Sequence, residues 1–155
     1  MISTFGVMFA SDQQSAASEL ARVCRSGGRL AIAAWVPESN AVALRKVLQP
    51  YMAAPSAAPP SPFVWGTRDW LTATLGHAFR LGFEEGVVLS RFPSAAAAWD
   101  QYADGFGPVR AVASSLNELQ KSELRSAFIA WVEQFRTGLG VSIPIEYLVS
   151  VGQRI

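Results

Sequence analysis

Apolar residues recur at helical spacing through Ala16, Leu20, Val23 and Cys24, behind Ser11-Asp12, which suit a helix N-cap, and ahead of Gly27-Gly28, which end it. This spacing predicts a helix of about three and a half turns. The run Arg29-Leu30-Ala31-Ile32-Ala33-Ala34-Trp35 that follows is almost unbroken in its apolar character and is closed by Pro37. That is the pattern of a parallel strand buried on both faces. A helix leading into such a strand predicts an α/β fold.

Pro37-Glu38-Ser39 open a second helical pattern with Val42, Val47, Leu48 and Tyr51. It gives way to a stretch from Pro50 to Pro62 that holds five of the nine prolines and reads as a loop or lid. Trp65-Gly66-Thr67 cap a short helix with Trp70, Leu71, Thr74 and Leu75 on one side, closed by Gly76. A strand is expected within Phe79 to Phe92, and Pro93-Ser94 begin a helix through Trp99 and Tyr102 that stops at Gly105 and Gly107. Leu116 to Leu139 carries the longest periodic pattern, a single amphipathic helix. Ile145, Tyr147, Val149 and Val151 alternate at period two within Ile143 to Val151, as in a half-buried last strand.

Composition narrows the possibilities. The 155 residues suit one domain, with a Pro-rich lid or linker at 50–62. Half are hydrophobic and only 16% are charged, which points to large contacts with something outside the chain. The net charge is +1 and the cationic residues form no run, so a nucleic-acid surface is not expected. Cys24 is the only cysteine, and no apolar stretch is long enough to span a membrane, so the chain reads as cytoplasmic with no membrane partner. The opening run Met1-Ile2-Ser3-Thr4-Phe5-Gly6-Val7-Met8-Phe9-Ala10 is apolar, like a beginning cut into a core.

Three strings in order carry a resemblance: Ser3-Thr4-Phe5-Gly6-Val7-Met8-Phe9-Ala10, then the capped helix ending Glu19-Leu20-Ala21-Arg22-Val23-Cys24-Arg25, then Gly27 to Trp35. Together they resemble the C-terminal part of a class I S-adenosylmethionine-dependent methyltransferase, in its small-molecule branch. The resemblance implies a partial Rossmann-like sheet. Ser3 to Ala10 would be the end of the fourth strand and the loop after it, and Leu30 to Trp35 the fifth strand. The strand near Val87 would be the sixth, and the one near Tyr147 the seventh, antiparallel between the fifth and sixth. The helix around Trp131 would pack on one face of that sheet.

The same resemblance implies methyl transfer to a small organic acceptor, with S-adenosylmethionine as cofactor. Ser3, Thr4 and Phe5 would lie beside the cofactor, and Met8, Phe9, Trp35 and Trp65 would line the acceptor side. This sequence departs from the family in lacking the first three strands, the glycine-rich loop and the acidic residue that binds ribose hydroxyls. Its two Gly-x-Gly strings, Gly105-Phe106-Gly107 and Gly138-Leu139-Gly140, follow helical patterns and lack the required context. Methyl transfer is therefore expected to be impaired. The alternative is a non-catalytic truncated relative that binds a partner or an apolar ligand.

Local readings compete at several positions. Met8 and Phe9 read equally as core, and Trp65 and Trp70 either close over an acceptor or anchor the lid. Trp35, at the carboxyl end of a parallel strand, sits where open α/β sheets bind ligands. His77 suits a helix C-terminus, Cys24 reads as core, and no catalytic residue or metal site is assigned. An open edge on the strand ending at Trp35 predicts a homo-oligomer.

Overall fold

A computed structural model describes residues 1–52 and 61–155. The chain forms two compact units, Met1–Ser39 with Pro55–Val88 and Glu146–Ile155, and Asn40–Ala54 with Leu89–Ile145.

The first unit is built on a sheet. Strand β1 is Ile2–Thr4, helix α1 is Gln13–Val23, β2 is Arg29–Trp35 and α3 is Arg68–Leu75; α2 belongs to the second unit. The long strands β3, Phe79–Phe92, and β5, Gly140–Arg154, contribute their residues up to Val88 and from Glu146. The order is β1-β2-β5-β3. β1 runs parallel to β2, with Ser3 opposite Ile32, and β5 runs antiparallel to β2, with Tyr147 opposite Trp35. The expected last strand thus lies between the other two, with β2, β5 and β3 in the places of the fifth, seventh and sixth.

Local chemistry sets the ends of α1. Asp12 Oδ1 accepts from the Ser15 N–H at 2.9 Å, and Gly27 takes φ +72° where the chain turns into β2. The core lies on one face of β2, where Leu30, Ile32 and Ala34 pack with Ala17 and Ala21 of α1, Leu71 and Leu75 of α3, and Met8, Trp65 and Phe79. The alternate residues Ala31, Ala33 and Trp35 are only half-buried. The apolar run had predicted burial on both faces. Small alanines at 31 and 33 keep the run apolar without needing the same depth of cover.

The edge prediction is also corrected. β2 is paired on both sides, and the edge strands among the described residues are β1 and β3. Ile2–Thr4 is itself long enough to hydrogen-bond to β2, which moves the open edge one strand outward.

The second unit is mainly helical. It contains α2, Asn40–Leu48; α4, Ala95–Gly105; α5, Gly107–Ser115; α6, Glu118–Glu133; and the short strand β4, Arg136–Thr137, which pairs with the start of β5. Leu44, Trp99, Val109, Leu124, Phe128 and Val132 share its core with Val141 and Ile143. The single helix expected over 116–139 is shorter. Asn117 and Gln120 form a capping box at its start, and Gly140, at φ +121°, turns the chain into β5 behind it. Helix α5 was not expected, because Gly105 and Gly107 read as a stop; Pro108 in its first turn suits a helix start.

The lid or loop reading of 50–62 falls largely on 53–60, outside the described residues. Its flanks are single 3-10 turns, Gln49–Tyr51 and Pro62–Gly66. No helix is long and apolar enough to cross a membrane among the described residues.

Candidate functional site at the carboxyl end of β2

Immediately after β1, Phe5 adopts φ +55°, a left-handed conformation rare for a residue with a side chain. Its N–H still bonds to Ala33 O at 2.9 Å, so the turn is tied to β2. The conformation lays the Phe5 ring on Trp35, with centroids 3.7 Å apart and planes 15° from parallel. Tyr147, opposite Trp35 in the β2–β5 register, meets both rings edge-on at 6.0 and 6.4 Å. Three aromatic rings therefore meet where the two parallel strands end.

Beside them opens a cleft of about 550 Å³, within the range typical of small-ligand sites. Tyr147 and Leu148 of β5, Val36 to Glu38 after β2, Gly66 to Asp69 at the start of α3, and Glu85 to Val87 of β3 line it. Two glycines make the walls possible. A Cβ on Gly66 would strike the backbone of Trp35 and Val36, and one on Gly86 would strike the Tyr147 ring. Across the cleft Arg68 donates to Glu85 at 2.8 Å, and its guanidinium carbon lies 5.7 Å from the Phe83 ring centre.

The other residues singled out from sequence are dispersed. The Ser3 hydroxyl accepts from the Val7 N–H at 3.0 Å, capping the turn Val7–Phe9, while Thr4 is exposed. Met8 and Trp65 have no exposed surface, and Phe9 is 69% exposed. Met8 and Trp65 meet through buried Gln13, whose Nε2 donates to Met8 O at 3.1 Å and Ala10 O at 3.0 Å while its Oε1 accepts from the Trp65 indole N–H. The structure thus brings Phe5 to Trp35, joins Met8 to Trp65 inside the core, and leaves Phe9 apart. His77 is exposed and Cys24 buried.

Sequence reasoning missed Tyr147, Gln13 and Gly86. The period-two pattern around Tyr147 held the signal for its face of the strand, but only the register places it against Trp35. A polar residue such as Gln13 in the first turn of a helix gives no sign that it will be buried.

No protein-family model matches the chain. Over 110 residues it is 36% identical to the uncharacterized protein Rv1405c and 33% identical to the uncharacterized protein Rv1403c, both of Mycobacterium tuberculosis. Each alignment takes up 70% of this chain and 40% of the relative, so the chain spans about two fifths of the length of the curated relatives it matches. Among solved structures it is similar to a Bacillus halodurans protein provisionally described as a methyltransferase, with TM-score 0.53 at 16% identity, covering 98% of this chain and 67% of that one. It is also similar to the YcgJ protein of Bacillus subtilis, with TM-score 0.51 at 15% identity over 98% of this chain and 62% of that one. The fold is a methyltransferase fold. At these identities the likeness speaks for the methyltransferase fold alone, and the chemistry has to be argued from the residues.

Proposed function

We propose that this chain supplies the acceptor side of a methyl-transfer site, with S-adenosylmethionine as donor and a small organic molecule as acceptor. The observation that carries this reading is the Phe5–Trp35 stack, 3.7 Å between centroids, at the carboxyl ends of two parallel strands and beside a cleft of about 550 Å³. Open α/β sheets bind their ligands at this end. The donor supplies an already activated methyl group, so the protein's part is to align the acceptor and exclude water. Aromatic faces suit both tasks and tolerate a sulfonium cation.

Of the residues placed by resemblance, Thr4, Phe5 and Trp35 are the ones we assign to ligand contact. The Ser3 hydroxyl is engaged by Val7, Met8 and Trp65 are buried in the core, and Phe9 offers an exposed ring near the turn. The donor fits these residues at one end only. The rings suit its sulfonium, whereas Ser3 to Phe9 include no carboxylate to accept from ribose hydroxyls. Donor binding by this chain alone is accordingly weak, and the reading includes self-association through the open edge of β1.

Fluorescence titration with S-adenosylhomocysteine tests the reading. A saturable change that disappears in Trp35→Phe, with a Kd of about 0.1–1 mM, is the expected result. No change at any attainable concentration overturns the donor assignment and favours a non-catalytic module that binds an apolar ligand or a partner.

A further inference from the structure

We infer that the open face of the sheet in the first unit is a docking surface for a second copy of this chain. The inference is independent of the methyl-transfer reading, and it concerns side chains rather than the backbone edge of β1. Both helices of the first unit, α1 and α3, pack on the face that carries Leu30, Ile32 and Ala34. On the opposite face Ala31, Ala33, Val149 and Val151 belong to neither hydrophobic core, and Val151 is 51% exposed. A groove of about 700 Å³ lies over Ile2, Ala31, Gly82 and Val151. Sheets of α/β proteins that are apolar on both faces have both covered.

The strand register shows what fits there. Ile2 is opposite Ala31, and Ala31 opposite Val151. Gly82 lies beside Val151, whose Cγ2 is 3.4 Å from where a Cβ on the glycine would stand. One row across the sheet therefore reads large, small, large, small. The next row is Thr4, Ala33 and Val149, with Glu84 beyond, because Gly82 and Gly86 mark that face of β3 beside Val151 and Tyr147. The row on the other side holds Arg29 opposite Gln153.

A two-fold axis lying along the strands, between β2 and β5, lays this face on its own copy with the strand order reversed. Ile2 then stands over Gly82 of the other copy, Val151 over Ala31, and Val149 over Ala33, so each large side chain meets a small one. The polar residues match as well. Arg29 meets the amide of Gln153, and the Thr4 hydroxyl meets the Glu84 carboxylate, each a donor facing an acceptor. Sheets packed face to face lie about 10 Å apart, which lets such side chains interdigitate. An unrelated partner would have to supply this alternation, whereas a second copy already carries it.

Size sets the strength. With seven residues in β2 at about 3.3 Å each, and four strands about 4.8 Å apart, the face covers about 400 Å². That is below the roughly 800 Å² per partner of a standard interface. The dimer is accordingly weak, with a Kd of about 10–100 µM.

Sedimentation equilibrium of the full chain from about 5 to 500 µM tests the inference, and the parent chain passes from monomer to dimer over this range. Val151→Glu sets a carboxylate over Ala31 at both symmetry-related places and weakens the dimer about tenfold or more. The Val151 backbone is already paired with Ala31, so this variant leaves the β1 edge as it is. Gly82→Glu fills the hollow beneath Ile2 and also weakens the dimer about tenfold, while replacing a glycine that weakens a strand. Circular dichroism and thermal melts confirm that each variant is folded, and Gly82→Glu keeps the test open if Val151→Glu is not.

A parent chain that stays monomeric up to about 500 µM overturns the inference. So does self-association that persists unchanged in the folded variants, which would place it at the β1 edge or elsewhere.

Discussion

The indole N–H of Trp65 donates to Oε1 of Gln13 inside the core of the first unit, across 52 positions of sequence. The same amide donates to Met8 O and Ala10 O, so one buried side chain satisfies three groups from two turns. Gln13→Leu keeps the volume and leaves those groups without a partner, so it destabilises the protein by about 1–3 kcal/mol. Urea unfolding measures it as a lower midpoint at constant slope. Adding Trp65→Phe costs less in the Gln13→Leu background than alone, because the orphaned donor is removed with the indole.

At Phe5 the backbone and the ring make opposite demands. The conformation at φ +55° favours glycine, by about 1–2 kcal/mol over a residue with a side chain. Phe5→Gly is therefore more stable than Phe5→Ala by about 1 kcal/mol, although both lose the stack on Trp35. Thermal melts of the two variants give the comparison. Near-ultraviolet circular dichroism shows loss of the aromatic signal in both, and equal stability of the two would show that the turn is unstrained.

Gly66 and Gly86 separate backbone from side-chain crowding. A methyl at 66 collides with the main chain of Trp35 and Val36, which cannot swing aside, so Gly66→Ala destabilises by about 1–3 kcal/mol. The three atoms nearest a methyl at 86 all belong to the Tyr147 side chain, which can rotate away. Gly86→Ala shifts the melting temperature less than Gly66→Ala does, yet changes the near-ultraviolet circular dichroism by displacing the ring.

Tyr102 gives the pH dependence. Burial raises its pKa above the usual 10.0, and a hydrogen bond with Ser90 partly offsets this. Since the folded state holds the proton more tightly than the unfolded chain, this stability is fully present below the unfolded pKa and is lost as pH rises from there through the folded value. Chemical denaturation shows stability falling above about pH 10. Tyr102→Phe flattens that fall, and an unchanged slope in the variant would count against a buried phenol.

Much of the fold was legible because its elements carry local punctuation. Asp12, Gly27, Thr67, Gly76 and Ser94 mark helix ends in the sequence as they do in space. Helix α5 was hidden because Gly105 and Gly107 read as the end of one helix, whereas Gly107 opens the next and Val109 and Ala113 pack into the core. The site was half legible. Trp35 could be placed because the end of a parallel strand is a fixed location in such sheets. Tyr147 and Gly86 could not, since they meet Trp35 and each other only through the pairing of the strands.

One edge of the sheet has a practical consequence. Met1 O accepts from the Ala31 N–H and the Phe5 N–H donates to Ala33 O, so the residues flanking β1 turn these groups toward β2. Alternation along a strand turns the peptide groups of Ile2 and Thr4 the other way, beside an Ile2 side chain that is 83% exposed. Those four backbone groups lie on the side of β1 that no described strand covers. Ile2→Lys places a charge on that side without touching the cleft, and light scattering of the variant beside the parent chain tests whether copies of the chain pair there.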